Sequence, residues 1–491
     1  MFTGFSALTT VSTTMLIVYL INFLISVAII FFDNKTPTAT LAWIMVLNLL
    51  PVAGLVLYIV FSQNIAKLKV SRMSESEMKL KSFMLHVQKN QMHHGFVHYS
   101  NAVTEKWKSM ILLNLENADS LLLGNRNIDL ITDGKEMFER LITDIRAAKE
   151  NINVCYFIIK DDEVGSRLIN ELTAKAKEGV EVRLLMDAMG SKGITSFKLR
   201  KFKDAGGKYA FYFKPHIRHL YLRFNYRNHR KIVTIDNRIG YTGGFNIARE
   251  YLGLKKKFGY WRDTHLRIVG STVFDLVARF CIDWRYSSGE IIDFTDIIAN
   301  QNDTRALPAD IPTQIVSCGP DEEKEQVKRA MMRMITSAEK SIYIQTPYFV
   351  PDTPIIESLE MAAQSGVDVR VMIPCMPDHP FVYHTTLYNA GHLLKAGAKI
   401  YIYNNGFLHA KTMVVDGDVS TVGSTNFDIR SFRLNFETNA FIYDSFFARK
   451  MEKQFRKDML LSTQYTLEDR NSRSLYRKMM ERISRLLSEI L

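Results

Sequence analysis

Two stretches of the 491-residue chain carry the same reactive side chains at the same spacing. The first holds His229, Lys231 and Asp236, followed by Gly243-Gly244-Phe245-Asn246. The second holds His409, Lys411 and Asp416, followed by Gly423-Ser424-Thr425-Asn426. Both read HxKxxxxD, and the His-to-Asn interval is 17 in each. An imidazole can attack an electrophile or shuttle a proton, while an ammonium and a carboxamide can steady charge growing on nearby oxygens. Two such sets suit phosphodiester exchange. One neutral His attacks phosphorus and forms a phosphohistidine, which splits a difficult exchange into two easier steps. The other, protonated, gives its proton to the leaving alkoxide and later takes one from the incoming alcohol. Lys231 and Lys411, aided by Asn246 and Asn426, would stabilise the transferring group. This scheme needs no metal and no cofactor, and no carboxylate cluster suited to a metal stands out. A single HxKxxxxD is a weak motif, whereas two matched copies with matched Gly/Asn turns are a strong one.

The elements around the motifs explain how they could be positioned. KIVTID and KTMVVD are β-like, so a His and a Lys two apart share one sheet face. The Asp, seven residues after the His, has opposite parity, which gives Asp236 and Asp416 a structural role, with a pairing behind the site as one form of it. A Gly-rich turn and a second strand would return Asn246 or Asn426 to the His/Lys side. From about residue 110 onward, β-rich runs alternate with amphipathic helical stretches, the pattern of α/β architecture. The pattern is written twice: GVEVRLLMD echoes GVDVRVMIP, and DAGGKYAFY echoes KAGAKIYIY. The fold class expected is α/β, two duplicated lobes related by a pseudo-two-fold axis, spanning 111–300 and 301–468. The polar stretch from 291 to 312 reads as the crossover. One asymmetry is visible, since Gly244 stands where the second half has Ser424.

The N-terminus sets the compartment. Residues 1–32 and 36–66 are uncharged, each long enough for a helix of about 20 residues to cross a bilayer. They predict a two-helix transmembrane hairpin over 1–66, because Pro51 and Gly54 are tolerated in membrane helices. A basic juxtamembrane linker over 67–110 follows. Lys67, Lys69, Arg72, Lys79 and Lys81 come after the second run, so the positive-inside rule places the remaining chain on the cytoplasmic side.

Lys plus Arg is 63 against 51 Asp plus Glu, a formal charge of +12 that favours anionic partners. Four scattered cysteines without a CxxC pair argue against a disulfide framework or a zinc-thiolate site. The stretch 214–230 mixes basic and aromatic residues, and Arg218, Arg223 and Arg227 are candidates for binding anionic head groups. The same residues could instead guide nucleic acid or form a solvated loop with an aromatic anchor. At the C-terminus, 469–491, Leu475, Met479, Ile483, Leu486, Leu487 and Ile490 recur at helical spacing. This amphipathic helix could lie on the membrane or pack back on the domain, since both need an apolar stripe.

The motif pair, with YFIIKDDEVG, MDAMGSKG, YWRDTH, TPYFVPD and the apolar N-terminus, resembles the phospholipase D superfamily and, within it, the bacterial cardiolipin synthases. The resemblance covers nearly the whole chain. It implies phosphatidyl transfer from one phosphatidylglycerol to the glycerol hydroxyl of another, giving cardiolipin and glycerol. It implies that His229 is the nucleophile and His409 the acid/base, with Asp263 and Glu437 orienting the imidazoles from behind. The expected partners are anionic phospholipid, glycerol and the membrane rather than nucleic acid. Self-association into a homo-oligomer stays open. A hydrolytic phospholipase D on the same scaffold is the alternative, because water or an alcohol can receive the phosphatidyl group. A silent lipid binder would have no use for two imidazoles.

Overall fold

A computed structural model describes residues 2–32, 37–61, 75–94, 101–214, 225–292, 311–322 and 324–486. The chain divides into two compact units, one holding residues 1–67 with 215–225 and the other holding the rest.

In the first unit, Phe2–Phe32 is a single helix, of which Thr13–Phe32 is long and apolar enough to cross a bilayer. The second apolar run corrects the expectation of two spans. It forms two short helices, Pro37–Leu49 and Pro51–Phe61, and the chain folds back sharply between them. A Cβ built on Gly54 would collide with the carbonyl of Val46, eight residues earlier. In a straight helix those residues lie about 12 Å apart. Pro51 is the cause, because it has no N–H for the Leu47 carbonyl and its ring crowds the preceding turn. Asn22 of the long helix supplies the missing donor, its Nδ2 giving hydrogen bonds to Leu47 O at 2.7 Å and Pro51 O at 3.0 Å. Asn22 is fully buried there, as an unpaired carbonyl in an apolar setting would be costly. Thirteen helical residues reach about 20 Å, short of a hydrocarbon core of about 30 Å. Among the described residues one helix, not two, is built to span.

The second unit is organised on one mixed sheet that runs through both lobes. At its centre Leu123–Ile131 pairs antiparallel with Ile311–Cys318, Leu123 opposite Thr313. Moving outward in the first lobe, the strands are His265–Gly270, Ile239–Gly243, Ile232–Ile235, Asn151–Tyr156, Glu181–Asp187 and Lys208–Tyr212. Moving outward in the second, they are Asn435–Tyr443, Val419–Gly423, Thr412–Val415, Ser341–Gln345, Asp368–Pro374 and Lys399–Tyr403, with Ser462–Tyr465 added at the edge. The order is the same in each direction, so the two central strands flank the pseudo-two-fold. Amphipathic helices cover the sheet: Gly134–Ala147 buries Met137, Phe138, Leu141, Ile142 and Ile145, and Gln326–Thr336 buries Val327, Ala330, Met331, Met334 and Ile335. Residues expected as a linker include the helix Glu75–His93, whose Gln88 amide makes a reciprocal pair of hydrogen bonds with the Leu122 backbone. The crossover expected at 291–312 lies almost wholly outside the described residues.

Asp236 and Asp416 do not pair with each other. Each sits at the tight turn ending its motif strand, with φ of 50° and 57°. Each carboxylate accepts three consecutive backbone N–H groups, from Lys149, Glu150 and Asn151 in the first lobe and from Glu339, Lys340 and Ser341 in the second. Asp is among the few non-glycine residues that tolerate a left-handed backbone, and three converging N–H groups make a concavity for an anion. The last position of the motif thereby ties its strand to the neighbouring one.

Each lobe also buries an arginine against an aspartate on its last long helix. Arg230 donates from Nη1 to both Asp283 oxygens at 3.0 and 2.9 Å and from Nη2 to Cys318 O at 2.9 Å. Arg262, beside Asp263 in the first lobe, reaches across to Asp458 of the second at 2.8–3.0 Å. All four residues are at most 2% exposed. Removing one partner strands a buried charge. Asp283→Ala and Asp458→Ala should each lower stability by about 3–5 kcal/mol, read as a shifted denaturant midpoint. An unchanged midpoint would show that the pairs carry no such weight.

Candidate active site

Strand pairing brings the two motifs together before any side chain is considered. Arg227–Asn228, just ahead of His229, pairs in parallel with Asn435–Phe436 of the second lobe. Phe407–Leu408, just ahead of His409, pairs in parallel with Trp261–Arg262 of the first. The His229 N–H donates to Phe436 O at 3.0 Å, and the His409 N–H donates to Arg262 O at 2.7 Å. Each histidine is thus docked on the strand whose next residue is a carboxylate of the opposite lobe.

The side chains complete the exchange. His229 Nδ1 lies 2.9 and 3.0 Å from the two Glu437 oxygens, and His409 Nδ1 lies 2.6 Å from Asp263 Oδ2. A carboxylate at Nδ1 fixes the tautomer with the proton on that nitrogen, leaving Nε2 free to attack or to exchange a proton. Lys411 Nζ also lies 2.9 Å from His409 Nδ1, but that nitrogen cannot both donate to Asp263 and accept from Lys411. The shorter contact with the carboxylate decides it. An aromatic ring walls each imidazole, Phe157 edge-on at 5.0 Å from His229 and Trp261 tilted at 5.1 Å from His409.

Lys231 and Lys411 are each 1% exposed and bond the carbonyl of their own histidine, Lys231 Nζ to His229 O at 2.6 Å. Burial pushes Lys231 down to about 7 and Lys411 down to about 8, partly opposed by Glu437 and Asp263. Burial lowers His229, with Glu437 opposing, and burial together with the Lys411 ammonium takes His409 down to about 4. Burial alone would raise Glu437 and Asp263, but the histidines and lysines hold both below the usual carboxylate range. The charge of Lys411 acts on His229, and that of Lys231 on His409. The two sets form one electrostatic cluster, and an anion placed among them would lessen the mutual repulsion of the two ammonium groups.

The remaining expected residues fall into different surroundings. Ser424 Oγ bonds Glu437, and the Thr438 N–H donates back to Ser424 Oγ at 3.0 Å, so the hydroxyl steadies the carboxylate that holds His229. The equivalent Gly244 has no room for a hydroxymethyl group, because any Cβ there would run into the Asp263 carboxylate. The asymmetry is a packing constraint: a short Asp against Gly in one lobe, a longer Glu tied by Ser in the other. Asn246 was expected to face the phosphorus, and each end of its amide makes a hydrogen bond within the first lobe. Its Oδ1 accepts from the Ile158 N–H at 3.1 Å and its Nδ2 donates to Tyr251 Oη at 2.8 Å. Asn426 differs, its buried Oδ1 having no hydrogen-bond partner among the described residues. Arg227 is buried, donating to Tyr226 O at 2.8 Å and touching the Met189 sulfur. Arg218 and Arg223 lie outside the described residues.

Asp187 is a site-building residue that the motif reading missed. Its carboxylate accepts from the Met189, Gly190 and Asn228 N–H groups at 3.0, 3.0 and 3.1 Å, linking a strand end to the segment before His229. The only signal for it was its place in MDAMGSKG. Tyr251 sets its ring 6.0 Å from His409, and Tyr348, whose only signal was its place in TPYFVPD, bonds Asp378.

Comparison with known proteins bears on the whole chain. A family model described as "Cardiolipin synthase, PLD-like domain" matches residues 141–259 and 331–459, once in each lobe. A second, "Phospholipase_D-nuclease N-terminal", matches residues 20–63. The chain is 42% identical over 473 residues to the major cardiolipin synthase ClsA of Bacillus subtilis, covering 96% of this chain and 98% of that protein. It is 44% identical over 474 residues to a cardiolipin synthase of Staphylococcus aureus, covering 96% and 95%. Listeria monocytogenes has one 42% identical over 478 residues, covering 97% and 98%. Among solved structures, phosphatidylserine synthase of Haemophilus influenzae superposes with a TM-score of 0.62 at 15% identity, covering 80% of this chain and 100% of that one, a likeness of fold. Twin motifs, duplicated lobes and full-length similarity together place this chain in the cardiolipin synthase family of the phospholipase D superfamily.

Proposed function

We propose that the chain is a membrane-anchored phosphatidyltransferase that joins two phosphatidylglycerol molecules into cardiolipin with release of glycerol. The observation that carries this reading is the crosswise pairing of two buried histidines with carboxylates of the opposite lobes, flanked by two buried lysines. His229 Nε2 attacks phosphorus, and the bond from phosphorus to the glycerol oxygen breaks. The departing alkoxide takes a proton from His409 Nε2, leaving a phosphatidyl group on His229. The glycerol hydroxyl of a second phosphatidylglycerol then gives its proton to His409 and attacks phosphorus, and the P–N bond breaks. Lys231 and Lys411 stabilise the equatorial oxygens in both steps. Glu437 and Asp263 hold the rings and support each imidazolium as it forms. Asp236 and Asp416 brace the motif strands.

The basic residues after the apolar runs support placement of the lobes on the cytoplasmic face. A membrane-impermeant thiol reagent should then label Lys177→Cys only in opened cells. Labelling in intact cells would reverse the assignment.

Reconstituted protein given labelled phosphatidylglycerol should form cardiolipin and glycerol in equal amounts, whereas phosphatidic acid as the main product would make it a hydrolase. His229→Ala and His409→Ala should each cut turnover by at least about 10³-fold, the scale of losing a nucleophile or its proton partner, in protein that remains folded. Full activity in either variant would remove that histidine from the mechanism.

The pH dependence has a definite sign. The lysines act as ammonium ions, and their lowered values mean that charge is lost as pH rises through about 7 for Lys231 and about 8 for Lys411. His409 acts as an acid in the first step, and its low value likewise favours the acidic side. kcat/KM, which reports the free enzyme, should therefore fall with rising pH across this interval. A profile flat to pH 9 would contradict the roles given to the lysines.

A further inference from the structure

The C-terminal helix Leu475–Leu486 is docked inside out. It packs on the helix Pro380–Lys395, and the side it turns inward is polar: Glu481 is 5% exposed and Ser484 fully buried. Arg473 forms an ion pair with Glu481, Lys478 Nζ donates to Asn471 O at 2.8 Å, and Arg485 donates to Tyr388 Oη at 3.0 Å. Leu475, Met479 and Ile483, at successive i, i+4 positions, face outward and are 83%, 49% and 43% exposed, with Tyr476 beside them at 66%. At 100° per residue this stripe lies opposite the docked face. A helix on a globular protein ordinarily turns its apolar stripe to the core. Here the stripe stays in solvent while polar groups do the docking.

We propose that this stripe is a docking surface for an anionic lipid bilayer, with the helix lying in the plane of the interface. Charge selects this occupant. The helix carries Arg477, Lys478, Arg482 and Arg485 against one acid, Glu481, which is buried and already neutralised by Arg473. Arg477 and Arg482 are exposed, and Arg482 adjoins the stripe, the arrangement of interfacial helices that insert apolar residues under basic ones. Two copies brought face to face would set like charges against each other, whereas acidic head groups complement them. The bilayer-length helix Thr13–Phe32 on the same chain would keep such a face at high effective concentration near lipid. The inference does not depend on the catalytic roles of the histidines.

The test uses full-length protein with Cys375→Ser, since the other native cysteines, Cys155, Cys281 and Cys318, are buried. A nitrobenzoxadiazole probe is placed at Met479→Cys, or at Lys177→Cys as a distant control. The protein is reconstituted in phosphatidylcholine vesicles with or without phosphatidylserine, carrying nitroxide-labelled acyl chains. The Met479→Cys probe should shift to the blue and be quenched at least about threefold more in anionic than in neutral vesicles, with the control unmoved. Adding Leu475→Asp and Ile483→Asp, both at exposed positions, should abolish that quenching. Absence of quenching overturns the proposal, as does equal quenching in both lipids. Probe-to-probe energy transfer without lipid quenching also overturns it, and would assign the face to a second copy of the chain.

Discussion

The candidate site depends on one exchange: each lobe supplies the carboxylate that holds the other lobe's histidine. Glu437 meets His229 and Asp263 meets His409, and short parallel strand pairs enforce both meetings through the backbone. Neither lobe alone has an oriented imidazole. A chain that wrote the domain twice and fused it gains a site in which both copies must be present and correctly packed. The continuous central sheet, in which Leu123–Ile131 meets Ile311–Cys318, sets the spacing that the exchange requires.

Burial gives the exchange its electrostatic character. Six charged or titratable groups sit at less than a tenth of full exposure, where charges interact far more strongly than in water. Burial lowers both lysines and His409 toward neutrality, and the Lys411 charge adds to the effect on Lys231 and His409. A phosphodiester entering that cluster supplies the missing negative charge. In the proposed reaction, substrate binding therefore charges the acid and the lysines at the moment they are needed.

The sequence displayed the chemistry more fully than its placement. The paired HxKxxxxD motifs, the duplicated α/β pattern and the apolar N-terminus were legible because each is a local spacing. The pairing of Glu437 with His229, 208 residues apart, was not, because no local pattern states which strand edge a residue will join. The Gly-rich turn and second strand were expected to return Asn246 to the His/Lys side, but no local spacing announces that its amide also bonds the Ile158 N–H and the Tyr251 hydroxyl. Hydropathy counted a second span because it registers composition and not direction, and Pro51 with Gly54 turns that run back on itself. The apolar spacing of the last helix was plain, yet only coordinates reveal that its polar side does the packing.

Everything rests on both histidines serving one phosphorus atom, and a transition-state analogue tests this most directly. A structure of the protein with orthovanadate should hold one vanadate per chain, bonded through vanadium to His229 Nε2 at one apex, with the opposite apical oxygen hydrogen-bonded to His409 Nε2. Two vanadates, one held in each lobe by its own histidine, would contradict the shared site.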